Sequence, residues 1–229
     1  MIRVNLKNGT CDHIPGKPTD RWYIHETDDS VDVAVMPTKF PGHILDHLTI
    51  PTSMFEEQEK QQIIQGDEVF ITGLFTNFYG KQRNIPIVRT GNMAMIPDER
   101  VHLEEFGNAE VYLIEARSRG GLSGSPVFFK RPIVMPNMPR ISSTGKLERP
   151  PTLTTKDLEQ FQENPFRLLG LIHGHYSLIE DKTLIDSNVE KIMDEINTGI
   201  ALVVPANKIL EVINHPELTE LRKQAERNI

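Results

Sequence analysis

The sequence predicts a mainly β protein that ends in a helix. Short runs of β-branched and aromatic residues recur along the 229-residue chain, each bounded by Gly, Pro, Asn or Asp. About six of these runs fall between residues 68 and 205. From residue 206 the apolar period changes, and Ile209, Leu210, Val212 and Ile213 line one face of a helix.

In chain order, residues 2–6, 22–25 and 31–36 form a first group of three strands. In the last of these, Val31, Val33 and Val35 alternate with polar or small neighbours, which sends the three valines toward a core. A loop rich in Pro, Gly and His spans 37–51. Residues 53–65 read as a short helix with Ser53 as its cap. The second group of strands covers 68–74, 85–96, 110–116, 126–130, 167–176 and 198–205. Residues 131–165 are polar, carry six prolines and lack a core pattern, so they read as a surface insertion with a helical turn or two at 155–163. Past 206 the helix is interrupted at Pro216 and ends in a charged, frayed tail.

Composition narrows the function. Thirty-two acidic and 25 basic residues give a net charge of −7, which argues against a phosphate-binding surface and so against nucleic acid as the partner. No run of 18 apolar residues suggests a membrane helix, and the first residues have no apolar core of signal-peptide type. The one cysteine, Cys11, excludes an internal disulfide and reads as a surface thiol in a polar turn. Cytoplasmic is the default compartment, and a disulfide-free exported protein fits nearly as well. No metal or cofactor pattern stands out, and oligomeric state is not legible.

The stretch with the most chemistry is Gly121-Leu122-Ser123-Gly124-Ser125-Pro126, followed by Val-Phe-Phe. A serine between glycines, leading into a strand, frees the hydroxyl on a tight turn and lets neighbouring N–H groups converge on a developing oxyanion. An ordinary turn before a strand is the competing reading. The α/β-hydrolase elbow is excluded, because Ser125 stands where its last glycine is needed.

This segment resembles the nucleophile loop of the trypsin/chymotrypsin-like serine peptidases, bacterial members above all. The resemblance implies a chymotrypsin-like double β-barrel with a C-terminal helix and a cleft between the barrels. It implies that Ser123 is the nucleophile and that the Gly121 and Ser123 N–H groups form the oxyanion hole. Leu122 replaces an acidic residue of the animal enzymes that serves zymogen activation. Asp32, in Ser30-Val-Asp-Val-Ala-Val35, resembles the family's catalytic aspartate, which orients a histidine. Gly170-Leu-Ile-His-Gly174 resembles the cleft strand, with Ile172, His173 and Gly174 offering backbone to an extended peptide. His173 falls where many members place a serine bonded to the aspartate, which implies a position near Asp32. Counting back from Ser123 puts Arg117 at the floor of the specificity pocket with Ser118 beside it, implying preference for an acidic residue before the cleaved bond. The competing reading has Arg117 pointing to solvent.

The family's catalytic histidine has no match. His13 and His25 precede Asp32, and neither lies in the expected small-residue context. The expected organisation is therefore a remnant of a first barrel over 1–36, a linker with a short helix over 37–66, a second barrel over 67–205 and a helical tail over 206–229. The missing strands and histidine would precede Met1. The expected function is a serine endopeptidase domain acting on polypeptides, inactive in this chain. The alternative is a peptidase-like module that binds extended peptides without cutting them.

Overall fold

The computed structural model describes residues 2–17, 19–38, 41–55, 63–75, 78–96, 98–103, 107–116, 121–130, 140–141, 146–148, 165–181 and 193–227. Its strands are β1 (Ile2–Asn5), β2 (Cys11–Ile14), β3 (Tyr23–Ile24), β4 (Ala34–Val35), β5 (Glu68–Leu74), β6 (Pro86–Met95), β7 (Val101–Leu103), β8 (Gly107–Ala109), β9 (Tyr112–Glu115), β10 (Pro126–Lys130), β11 (Arg140–Ile141), β12 (Leu147–Glu148), β13 (Phe166–Asp181) and β14 (Met193–Pro205). Two helices follow, α1 (Ala206–Ile213) and α2 (Pro216–Arg227).

Six strands close into an antiparallel barrel in the order β10-β13-β14-β9-β6-β5. Alternation fills it. Val69 and Ile71 of β5, Val127 and Phe129 of β10, Ile114 of β9 and Ala201 and Val203 of β14 point inward and are almost wholly buried. Closure leaves these six strands no free edge where they pair, so the barrel is the stiff part of the fold.

The outward-facing partners of those residues build a second core. Leu168 of β13 and Val204 of β14 meet Ala206, Ile209 and Val212 of α1, and Leu218 of α2. Tyr23, Val31, Val33 and Phe55 close this cluster from the other side. The segment from Tyr23 to Val35 is thereby laid against the barrel wall and α1. The remaining pairs, β1–β2, β3–β4, β7–β8 and β11–β12, are separate two-stranded ribbons. No helix among the described residues is long and apolar enough to cross a membrane.

Several local expectations are corrected. Cys11 lies on β2 rather than in a turn, because the reversal occurs earlier, at the positive-φ Gly9, and pairs Asn5 with Cys11. Ser53 does not cap a helix. It sits inside a single 3-10 turn (Thr52–Met54) whose leading residue is Pro51, and Phe55 is extended and bridges to Leu168. α1 ends at Ile213, before Pro216 is reached, and Pro216 opens α2, a position where its missing N–H costs nothing. The expected helical turn at 155–163 lies outside the described residues.

Candidate functional site

The loop before β10 is fixed at both ends and open in the middle. Leu122 is buried in the barrel core and Ser125 is nearly buried. Ser125 N–H donates to Leu122 O at 2.9 Å, closing a tight turn whose third residue, Gly124, has φ +77°. A positive φ there is what a type II turn requires and what glycine supplies without strain. Gly124 N–H donates to Ile172 O at 2.7 Å, and Ile172 N–H donates to Ser125 O at 2.9 Å. The turn is thus stitched to β13. Behind it, Gly73 of β5 gives the space: a Cβ there would lie 2.5 Å from Ser125 Oγ and 3.0 Å from a Leu122 methyl.

Ser123, the exposed residue at the second position of this turn, donates its hydroxyl to His173 O at 2.9 Å. Among the described residues, the backbone N–H groups of Gly121 and Ser123 donate to no protein acceptor. Both are close in sequence to the hydroxyl and carry no backbone hydrogen bond that would keep them from an oxygen bearing negative charge.

His173 stands at an irregularity of β13. The pairing with β14 shifts between Ile172 and Gly174, so His173 is the extra residue of a bulge. Bulges re-aim a side chain that strict alternation would send to the other face. Here the re-aimed imidazole places Nδ1 2.8 Å from Asp32 Oδ2. Facing a carboxylate, Nδ1 carries a hydrogen and donates.

Asp32 arrives from the opposite side. Its neighbours Val31 and Val33 are buried against the barrel wall and α1, and Val33 N–H bonds back to Val31 O at 2.9 Å. This γ-turn is centred on Asp32 and throws the carboxylate outward. The carboxylate is 57% exposed, while the imidazole it holds is 10% exposed. A second aspartate, Asp28, fixes the approach to this turn: it accepts the Ser30 hydroxyl and backbone N–H and pairs with Arg100. The Ser30 hydrogen bond and then the Arg100 guanidinium hold its carboxyl down to about 2.

Asp32, His173 and Ser123 therefore form one hydrogen-bonded chain, although 141 residues separate the first pair and 50 the second. Ile172 does not line an open cleft. Its side chain is in the barrel core, and its N–H and C=O are both occupied by the serine turn. Past the serine turn β13 is open at Gly174, where a Cβ would meet nothing within 4 Å. Arg117 and Ser118 lie outside the described residues. The bulge at His173 and the Asp28–Arg100 pair were not legible in the sequence. The glycine after His173 is the one local sign of the former. Among the described residues, no cluster of three or more His, Cys, Asp or Glu side chains could hold a metal ion.

Comparison with protein-family models, curated proteins and solved structures returned no match for this chain.

Proposed function

We propose that this chain is a serine-peptidase domain of the trypsin/chymotrypsin type, with Ser123 as nucleophile and with little turnover in the geometry described. The observation that carries the reading is the convergence of Asp32, His173 and Ser123 from three distant segments. The closed six-stranded barrel followed directly by a helix supports it, as does the serine turn seated on β13.

On this reading Ser123 Oγ attacks the carbonyl carbon of an extended peptide lying from His173 and Gly174 onward. The carbonyl oxygen becomes an oxyanion and is met by the Gly121 and Ser123 N–H groups. Asp32 is the carboxylate that orients an imidazole. Turnover is low because the Ser123 hydroxyl is held by a carbonyl oxygen, which accepts a hydrogen bond but does not take the proton. Such a serine remains a neutral alcohol. That same contact favours the second reading, in which the cleft binds extended peptides without cutting them.

The test is reaction with a fluorophosphonate, which requires a serine hydroxyl beside an oxyanion hole and no peptide specificity. Slow phosphonylation at Ser123, mapped by mass spectrometry and abolished in Ser123→Ala, is expected, with casein hydrolysis near background. A folded protein whose Ser123 stays unmodified up to pH 10 contradicts the nucleophile assignment and leaves the binding reading.

A further inference from the structure

We infer that the site is completed by an imidazole from outside the chain, so that its substrates are peptides carrying a histidine beside the bond to be cleaved. This rests on the serine-peptidase reading above and names the substrate class of the same site.

The two groups that an imidazole must bridge are both open. The Asp32 carboxylate is more than half exposed, and its one hydrogen bond among the described residues uses Oδ2, leaving Oδ1 to accept another. Ser123 is exposed, and its hydroxyl rests on a backbone carbonyl, a bond that an imidazole nitrogen can replace. Both groups lie one hydrogen bond from the same residue, Asp32 at the ring of His173 and Ser123 at its carbonyl. Carboxylate and hydroxyl thus flank the same residue. Completion of the site requires them to lie within the span of one ring that donates from one nitrogen and accepts at the other. His173 itself has its Nδ1 committed to Asp32, and its carbonyl, not its ring, receives the serine hydroxyl. Its part is that of a positioning residue, holding the carboxylate at the rim.

The chemistry balances without a further reagent. The substrate imidazole donates its N–H to Asp32 Oδ1 and takes the Ser123 Oγ proton on its other nitrogen. The Oγ–C bond forms as that proton leaves. The imidazolium returns the proton to the departing amine as the C–N bond breaks; a histidine on the acyl side stays with the acyl-serine and takes the proton of the water that hydrolyses it.

Free imidazole is the probe, with the full chain and the fluorophosphonate, the Oγ–P bond forming as fluoride leaves. Saturable acceleration of Ser123 labelling, by about tenfold or more, is expected. N-methylimidazole, a comparable base with no N–H to give Asp32, should produce only a weak linear rise. Asp32→Asn should remove the saturable part. With peptides, cleavage is expected beside histidine and absent from the matched glutamine sequence. Equal, linear acceleration by both bases overturns the inference and leaves the nucleophile assignment intact. Fast labelling without imidazole that falls in His173→Gln also overturns it, by making His173 the base. No labelling at pH 10 with or without imidazole overturns both readings together.

Discussion

The barrel and the segment from residue 20 to 35 are held by different physics, and the candidate site is divided between them. The barrel is a closed ladder around side chains with almost no exposure. The segment has two-residue strands, three buried anchors (Tyr23, Val31 and Val33) and a set of polar clasps to the C-terminal helices. His25 meets Glu211 at 2.6 Å, His215 meets Glu26 at 3.1 Å and Arg21 meets Glu217 at 2.5 Å. Burial pushes the Glu211 carboxyl up, but hydrogen bonds from His25 and Lys208 outweigh it and hold the group below the ordinary carboxylate range. Ser123 and His173 stand on the stiff part and Asp32 on the clasped part. Nucleophile and carboxylate can therefore be separated without unfolding the barrel, because segments with few buried contacts open at a fraction of the global free energy.

The largest break is in the barrel. Phe129 is fully buried at the centre of the interior cluster. Phe129→Ala should cost about 3–5 kcal/mol and lower the urea midpoint of the whole molecule. All protected amides should lose protection together. A loss confined to β10 and its neighbours would mean that the six strands do not unfold as one unit.

A smaller break isolates the segment. Val33→Ala removes two buried methyl groups next to Asp32 and should cost about 1.6 kcal/mol. Faster hydrogen exchange is expected in residues 20–35, while amides of β10, β13 and β14 stay protected. Fluorophosphonate labelling of Ser123 in the absence of imidazole should be nearly unchanged, because the serine turn is held by the barrel, through β13 and against Gly73 of β5. Its acceleration by imidazole should weaken. Equal exchange changes in barrel and segment would remove the distinction between them.

This division also explains what the sequence could reveal. The six barrel strands and α1 were legible because burial imposes a period on them, as in Val69/Ile71 and Val127/Phe129. β2 escaped because Cys-Asp-His-Ile has no such alternation, and β7 and β8 because three residues are too few to show one. The helix expected at 53–65 had a cap-like Ser53. Its start instead became a single 3-10 turn, with Phe55 drawn into the core beside Leu168, and residues 56–62 lie outside the described residues. Asp32 was legible as an outward residue between buried valines. That His173 lies near Asp32 comes from the family resemblance alone; the bond itself depends on a bulge 141 residues away, of which Gly174 is the one local sign.

The smallest expected effect sharpens the comparison by charge alone. Asp28 lies four residues before Asp32, and its carboxylate organises the turn that delivers it. In the folded chain its carboxyl is held down to about 2, against 3.8 for the free group, by the Ser30 hydrogen bond first and Arg100 second. A folded value below the unfolded one means stability that is fully present above about pH 4 and lost as pH falls toward 2. The pair with Arg100 faces solvent on the arginine side, so its contribution is small and weakens with salt. Asp28→Asn should therefore be less stable than the natural chain at pH 6, with a gap that narrows steadily between pH 4 and pH 2. The loss should appear as faster exchange in residues 20–35 and leave the barrel unchanged. A gap of the same size at pH 6 and pH 2.5 would show that Asp28 acts through the shape of its turn and not through its charge.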